Sequence, residues 1–146
     1  MSYRERELLL SIAKSKNNKR IKVWTNGCFD ILHRGHIELF RYAKSLGDEL
    51  VVGIDTDEKV KLDKGEDRPI NNLQDRMYML QSIKYIDKVI PFDSTEDLSN
   101  TIKWYSPNIM VIGSDWKGKT VIGDLFTDKL VFFNRIEGYS TTNFLK

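Results

Sequence analysis

Short apolar runs recur along the chain, and between them the apolar residues are spaced three or four positions apart. Most of the runs are continuous rather than alternating with polar residues, which is typical of strands buried on both faces of a parallel sheet. The pattern predicts five strands, at residues 21–25, 50–54, 88–92, 109–113 and 130–133. The wider spacing predicts helices at residues 35–46, 73–83 and 96–105.

Three further segments complete the predicted layout. Residues 3–14 are expected to form an amphipathic helix, residues 15–20 a connector, and Ser140 is expected to cap a final helix that starts at Thr141. Residues 55–71 show no clear apolar period, so we expect a long loop with at most a helical turn, and such loops are often functional. The alternation of strands and helices predicts an α/β fold, a parallel sheet with helices on both faces, preceded by a helical extension over residues 1–20. Residues 21–146 are expected to form a single domain.

Composition and charge narrow the possible partners. The chain has 146 residues and a formal charge of +2, from 23 basic and 21 acidic side chains. This near balance argues against a nucleic-acid or membrane partner, so any phosphate site must be local. The one cysteine, Cys28, cannot form an internal disulfide. The charged N-terminal segment does not resemble a signal peptide, and no apolar run is long enough to span a membrane, so we expect a cytoplasmic protein.

The loop after the first strand contains the strongest candidate chemistry. In open parallel sheets, ligands bind beyond the carboxyl ends of the strands. This loop reads TNGCFDILHRGHIELF and holds both histidines of the chain, His33 and His36. Gly27 is expected to allow a tight turn and Gly35 to let the backbone approach a ligand. A helix starts here, and its N–H groups and the two imidazoles together favour a triphosphate as the ligand.

Other interpretations of this loop stay open. The histidines could be surface residues at a helix start, or half of a metal site, although there is no third histidine to complete one. Asp30 could orient the histidines or a magnesium-bound water, or it could cap the following turn. Cys28 could suggest a thiol nucleophile, but no histidine outside the motif is present to act as its base.

The HRGH segment, residues 33–36, resembles the HxGH signature of the cytidylyltransferase-like nucleotidyltransferases, and NGCFDILH resembles the loop that precedes that signature. KGEDRPIN at residues 64–71 and the Asp-Arg pair at 75–76 resemble heptose-1-phosphate adenylyltransferase domains. GSDWKGK at 113–119 and RIEGYSTT at 135–142 resemble glycerol-3-phosphate cytidylyltransferase, although GSDWKGK and the STTN ending at 140–143 also occur in heptose-type domains. The resemblance implies a Rossmann-like fold of the HIGH superfamily and covers nearly the whole chain after residue 20.

The resemblance also implies roles for individual residues. An acceptor phosphate would attack the α-phosphorus of a nucleoside triphosphate, and pyrophosphate would leave with Mg²⁺. His33 and His36 would stabilise the triphosphate, and Asp115 and Trp116 would lie near the ribose and base. The remaining nucleotide-binding residues would be Thr25, Asn26, Gly27, Cys28, Phe29, Gly35 and Gly113, with Ser140, Thr141 and Thr142 on the β- and γ-phosphates.

Transfer between two anions also requires local positive charge. Lys64 and Arg135 are the expected catalytic cations. The expected acceptor-binding residues are Asp57, Lys61, Arg68 and Arg76, although a solvated surface is the ordinary state of loop lysines. No metal ligand is expected from the protein, because Mg²⁺ would arrive with the nucleoside triphosphate.

These observations lead to one preferred function and two alternatives. The preferred function is transfer of a nucleoside monophosphate from ATP or CTP to a sugar or polyol phosphate, with a narrow preference for a heptose-type sugar-1-phosphate adenylyltransferase. The alternatives are CTP:glycerol-3-phosphate cytidylyltransferase and a nucleotide-binding module without catalysis. The family resemblance further implies a homodimer.

Overall fold

The sheet follows the predicted strand pattern. The computed structural model describes residues 2–6 and 20–134. Five strands form one sheet in which every pair is parallel. All five predicted strands are present, with ends shifted by two residues at most: β1 (Lys22–Gly27), β2 (Glu49–Asp55), β3 (Lys88–Phe92), β4 (Ile109–Gly113) and β5 (Lys129–Phe133).

The order of the strands determines where a ligand can bind. Across the sheet they run β3-β2-β1-β4-β5, so the chain proceeds outward from β1 in one direction and then returns to β1's other side with β4. A crevice opens where the direction reverses, between the carboxyl ends of β1 and β4. The loops after β1, β2 and β4 meet at this edge.

Helices cover both faces of the sheet, as the alternating pattern predicted. They are α1 (Arg34–Ser45), α2 (Asp57–Lys64), α3 (Leu73–Gln81) and α4 (Thr95–Tyr105), with short 3₁₀ turns at Ser114–Trp116 and Asp124–Phe126. Successive strand residues point to opposite faces. Val23 accordingly packs with Phe40 of α1 and Leu80 of α3, whereas its neighbour Trp24 packs with Ile102 of α4.

The largest error of the sequence prediction concerns residues 55–71. Helix α2 occupies half of this supposed loop. Its N-terminus is capped by the Thr56 hydroxyl, which accepts a hydrogen bond from the Lys59 N–H. Acidic residues in the first turn and lysines in the last turn complement the helix dipole. Val60 is the helix's one buried residue, so apolar periodicity gave no signal.

Two predicted helices lie largely outside the described residues. Residues 3–6 are helical, in agreement with the amphipathic helix predicted for 3–14, but residues 7–19 are outside the described ranges. The final helix predicted from Ser140 lies wholly outside them. Within residues 2–6 and 20–134, no helix has the length and apolar character needed to cross a bilayer.

Candidate active site

A cavity of about 900 Å³ opens at the carboxyl edge of the sheet. It spans the crevice between β1 and β4 and extends over the end of β2 to α4. Most of the site residues expected from the sequence lie in its wall. These are Thr25, Asn26, Gly27, Cys28, Phe29, His33, Gly35, His36, Lys64, Arg68, Gly113, Asp115 and Trp116.

The two histidines form a reciprocal cap at the start of α1. His33 is the N-cap residue, and its Nδ1 accepts a hydrogen bond from the Gly35 N–H at 3.1 Å. The Nδ1 of His36 accepts one from the His33 N–H at 3.2 Å. The rings stack with their centroids 3.8 Å apart. This is the geometry of a capping box with imidazoles in place of the usual hydroxyl and carboxylate.

This cap changes the expected role of the helix N-terminus. The Gly35 N–H already donates to His33 Nδ1, and the His36 N–H donates to the His33 carbonyl at 3.0 Å. These two N–H groups therefore do not supply the phosphate contacts that the sequence suggested. The cap instead fixes the tautomer of both rings. Because each Nδ1 is an acceptor, the proton of each neutral imidazole resides on Nε2.

Phe29 supports the histidine pair from behind. It is buried, and its backbone lies in the left-handed region with φ of 49°, which is uncommon for a bulky residue and is often found at functional sites. Its ring meets His36 edge-on, with centroids 5.4 Å apart, and it contacts Phe40 of α1 in the same way. A Cβ at position 27 would lie 3.0 Å from this ring. Gly27 thus leaves room for the close approach of the Phe29 ring, and its backbone does not adopt the positive φ that would mark the tight turn we expected.

The opposite wall carries the residues expected near the ribose and base. Asp115 and Trp116 lie in the 3₁₀ turn after β4, and the Trp116 ring remains partly exposed. The Asp115 carboxylate folds back over the strand end, since a Cβ at Gly113 would lie 2.6 Å from its Oδ1. On β1, the Asn26 Oδ1 accepts a hydrogen bond from the Trp24 indole at 3.0 Å, which fixes the Asn26 side chain.

The described contacts of Asp30 do not support two of the three roles suggested by the sequence, orienting the histidines and capping the following turn, and orientation of a magnesium-bound water stays a prediction. Its carboxylate is fully buried and binds a segment 40 residues away. It accepts hydrogen bonds from the backbone N–H groups of Ile70 and Asn71, both at 2.8 Å, and from Arg68 Nε at 3.0 Å. Burial by itself raises the pKa of Asp30, but these donors outweigh it and hold the pKa below its usual value. We call this arrangement the Asp30 clamp.

Arg76 is a second anchor, and its position corrects the expectation that it binds substrate. Its side chain is completely buried and does not line the cavity. The guanidinium donates to the carbonyls of Cys28, Asp55 and Asn71 and to the Asp57 carboxylate at 2.7 Å. Asp57, also expected to meet the acceptor, is thereby committed to Arg76. Together they join the loops after β1 and β2 to the start of α3.

The basic residues of α2 differ in their access to the cavity. Lys64, in the last turn, lies in the cavity wall, whereas Lys61 does not, which argues against the acceptor contact expected of Lys61. Lys59 also lines the cavity. Its ammonium is 2.6 Å from Asp63 and 3.7 Å from Asp55. The sequence analysis overlooked Asp55, which ends β2 and faces the same cavity.

Two further groups in the wall bear on the chemistry. The Thr25 Oγ1 is buried and has no hydrogen-bond partner among the described residues, which is costly unless a ligand supplies one. Burial raises the pKa of the Cys28 thiol, and this keeps the thiol protonated and opposes a role as nucleophile. Cys28 therefore contributes to the wall of the cavity rather than to covalent chemistry.

Four of the expected site residues lie outside the described ranges: Arg135, Ser140, Thr141 and Thr142. The sequence analysis in turn missed the apolar part of the wall, where Phe92, Leu98, Ile112, Val121 and Ile122 lie. Such residues read as ordinary core positions in a sequence. In the described part of the chain, no group of three or more histidine, cysteine, aspartate or glutamate side chains is arranged to hold a metal ion.

Comparison with known proteins identifies relatives of similar sequence. The chain is 44% identical over 134 residues to the bifunctional protein HldE of Aliarcobacter butzleri, and 46% identical over 123 residues to that of Campylobacter fetus. These matches cover 92% and 84% of this chain but 28% and 27% of the relatives, so the chain spans less than a third of their length.

A solved structure gives the same fold. The crystal structure of the lipopolysaccharide core biosynthesis protein from Thermoplasma volcanium superimposes with a TM-score of 0.63 at 29% identity, and the match covers 84% of this chain and all of that one. Residues 24–142 match the cytidylyltransferase-like family. The chain therefore belongs to the cytidylyltransferase-like family of nucleotidyltransferases, which confirms the resemblance seen in the HRGH motif.

Proposed function

We propose that this protein transfers a nucleoside monophosphate from a nucleoside triphosphate to a sugar phosphate, with ATP and a heptose-type sugar 1-phosphate as the preferred pair. The observation that carries the proposal is the histidine pair. Two stacked imidazoles, both with Nδ1 bound to backbone N–H groups, line a cavity at the carboxyl edge of a parallel sheet. This arrangement suits the recognition of phosphate oxygens.

The fixed tautomers explain how the pair acts. With the proton on Nε2, each ring can donate a hydrogen bond to an oxygen of the triphosphate. Negative charge grows on the leaving pyrophosphate as the reaction proceeds, so donors held in place stabilise the transition state more than the ground state. The cap supplies this preorganisation, because neither ring can rotate without breaking a hydrogen bond to the backbone.

The reaction is a single displacement. An oxygen of the acceptor phosphate attacks the α-phosphorus and forms a new phosphoanhydride bond. The bond from the α-phosphorus to the α–β bridging oxygen breaks, and pyrophosphate leaves. No side chain needs to act as nucleophile, so catalysis rests on positioning and charge neutralisation. Lys64 in the cavity wall supplies one positive charge. We assign Arg135, with Ser140, Thr141 and Thr142, to the β- and γ-phosphates from sequence alone.

Mg²⁺ would be carried by the nucleotide. Magnesium in such sites is commonly bound through substrate phosphates and water with few protein ligands. When bound, the ion would neutralise charge on the phosphates. The protein residues would then need only to orient the triphosphate.

The acceptor class is supported by the relatives. The similar curated proteins carry the name HldE, and the similar solved structure is a lipopolysaccharide core biosynthesis protein, which favours a sugar phosphate over glycerol 3-phosphate. The Lys64–Asn71 segment that resembles heptose-type domains forms part of the site, since Lys64 and Arg68 line the cavity.

We also propose that the enzyme works as a homodimer in the cytoplasm, where ATP and CTP are available. Light scattering of the purified protein tests the dimer.

The experiment measures pyrophosphate release from ATP or CTP with heptose 1-phosphate or glycerol 3-phosphate, and compares two variants of His36. In His36→Asn the amide oxygen can replace Nδ1 as the cap acceptor, but the Nε2 donor is lost. In His36→Gln the amide nitrogen can replace the Nε2 donor, and the cap can still close, because glutamine is a usual acceptor at this position of a capping box. We expect His36→Asn to fold normally and to lose about a hundredfold or more in kcat. His36→Gln should lose less kcat and keep most of its stability.

The outcomes separate the candidate functions. Turnover by a folded His36→Asn variant at the wild-type rate would remove His36 from the transition state. Pyrophosphate release with CTP and glycerol 3-phosphate alone would select the cytidylyltransferase alternative. Nucleotide binding without pyrophosphate release for any pair would identify a non-catalytic module.

A further inference from the structure

Asp55 is a largely buried carboxylate that faces the cavity, and its one ion-pair partner among the described residues is distant. It is the last residue of β2, and its side chain is 13% exposed. Its backbone carbonyl is bound by Arg76, so the position of the residue is fixed. Among the described residues, the one ion pair of its carboxylate is with Lys59 Nζ, at 3.7 Å. That separation is too long for a good hydrogen bond.

Lys59 does not complete the site, because it is engaged elsewhere. Its ammonium lies 2.6 Å from the Asp63 carboxylate and 5.7 Å from the centre of the Phe92 ring. Burial raises the pKa of the Asp55 carboxyl, and the nearby lysine offsets this only in part. A buried charge in this condition lowers stability unless a ligand supplies donors.

The charges in this wall of the cavity indicate which groups of the acceptor would donate hydrogen bonds to Asp55. Asp55, Lys59 and Asp63 form a chain of alternating charges, and Lys64 follows one helical position later in the same wall. An anionic phosphate would be repelled by Asp55 and attracted by Lys64. Hydroxyl groups are the uncharged donors that a sugar or polyol presents, and a carboxylate binds them strongly.

We propose that Asp55 is the specificity-determining residue of the acceptor site and accepts hydrogen bonds from hydroxyl groups of the acceptor. The substrate class is thereby narrowed to phosphates whose carbon skeleton carries hydroxyls within reach of Asp55 while the phosphate lies toward Lys64. This inference rests on the proposed nucleotidyl transfer and adds the selection of the acceptor to it.

The role of Asp55 is tested by comparing kcat/KM for an acceptor with kcat/KM for each of its deoxy analogues. A hydrogen bond to a charged group is worth enough to change kcat/KM about 10- to 100-fold. Wild-type protein is assayed with ATP and heptose 1-phosphate, and with each analogue in which one hydroxyl is replaced by hydrogen. If CTP and glycerol 3-phosphate are the active pair, propane-1,2-diol 1-phosphate and propane-1,3-diol phosphate serve as the analogues.

The same series is then measured with Asp55→Asn and with the control Asp63→Asn. Asp63 is the matched control because it also pairs with Lys59 but has a side chain that is 51% exposed. We expect at least one deoxy analogue to lose 10- to 100-fold in kcat/KM with the wild type. The ratio of kcat/KM for the acceptor to kcat/KM for that analogue should fall to about one with Asp55→Asn, and should stay at the wild-type value with Asp63→Asn. The KM for the nucleotide should change little in either variant.

Each remaining outcome contradicts a defined claim. Equal use of all analogues by the wild type overturns the inference without requiring any variant to fold. Unchanged discrimination in a folded Asp55→Asn protein also overturns it. If the wild type releases no pyrophosphate with either series, the proposed function itself fails and the inference fails with it.

Discussion

Two buried aspartates lie at the same edge of the sheet in opposite electrostatic states. Asp30, in the loop after β1, accepts two backbone hydrogen bonds and pairs with Arg68. Asp55, at the end of β2, has one ion pair within the described part of the chain, at 3.7 Å. The pKa of Asp30 lies below its usual value, whereas burial raises that of Asp55. Asp30 thus stabilises the fold, whereas the burial of Asp55 lowers stability, and hydrogen bonds from a bound ligand would offset that loss.

This contrast separates the scaffold of the site from the surface that meets the ligand. Arg76 lies behind the cavity, whereas Asp30 and Arg68 of the Asp30 clamp lie in its wall, and all three have hydrogen-bond partners within the protein. The Thr25 Oγ1 and Asp55 also lie in the wall, but among the described residues the Thr25 hydroxyl has no hydrogen-bond partner and the Asp55 carboxylate has one ion pair, at 3.7 Å. Buried polar groups are normally satisfied, so the exceptions in a wall indicate where a ligand binds. Substitution of the residues satisfied within the protein should therefore affect stability, whereas substitution of Asp55 should affect acceptor use.

The largest expected effect on stability comes from Asp30→Asn. The substitution keeps the shape of the side chain but turns one acceptor oxygen into a donor that faces an N–H group of the clamp. We expect the free energy of unfolding to fall by about 2–3 kcal/mol. Urea denaturation provides the measurement. Asp55→Asn is the matched control, and its stability should be equal to that of the wild type or higher; a larger loss at Asp55 than at Asp30 would reverse the comparison.

A smaller effect, on kinetics alone, is expected from Lys64→Ala. The side chain is exposed in the cavity wall, so the stability should change by less than about 0.5 kcal/mol. Loss of its charge should raise the KM for the acceptor phosphate and lower kcat, with about a tenfold loss in kcat/KM and less change in the KM for the nucleotide. Lys61→Ala, one helical turn earlier but outside the wall, is the control. Equal effects of the two variants would show that only the net charge of α2 matters.

The local part of this arrangement could be predicted from the sequence, and the long-range part could not. Continuous apolar runs located all five strands, and the HRGH motif located the site because its residues are neighbours in the chain. Helix α2 was missed because caps and end charges stabilise it rather than an apolar face. The partners of Asp30 lie 38 to 41 residues away, and no spacing rule connects them.

Arg76 and Asp55 are two further residues whose roles could not be predicted from the sequence. A basic residue near a predicted phosphate site suggests a ligand contact, but burial and four hydrogen bonds make Arg76 part of the scaffold. An aspartate at the end of an apolar run suggests the first residue of a loop. Only the fold shows that Asp55 is buried and directed at the cavity.

The smallest expected effect concerns how the free energy of unfolding depends on pH, because this dependence should have opposite signs for the contributions of Asp30 and Asp55. A carboxyl whose folded pKa is lowered adds stability above its unfolded pKa and loses it as the pH falls through the folded pKa. The advantage of the wild type over Asp30→Asn should therefore shrink on acidification. A carboxyl whose folded pKa is raised acts in the opposite way: its contribution is fully present below the unfolded pKa and is lost as the pH rises through the folded pKa.

For Asp55 the stability of the wild type relative to Asp55→Asn should consequently decrease as the pH rises through the pKa of Asp55. Denaturation curves of the three proteins between about pH 3 and 7 give both differences, and other titrating groups cancel because they are common to all three. Differences of the same sign would mean that Asp55 is satisfied like Asp30, and the argument for its role in acceptor binding would lose its electrostatic basis. Opposite signs would show that folding favours the charged form of Asp30 and disfavours that of Asp55, which is the difference expected if Asp30 holds the site together and Asp55 is left to meet the substrate.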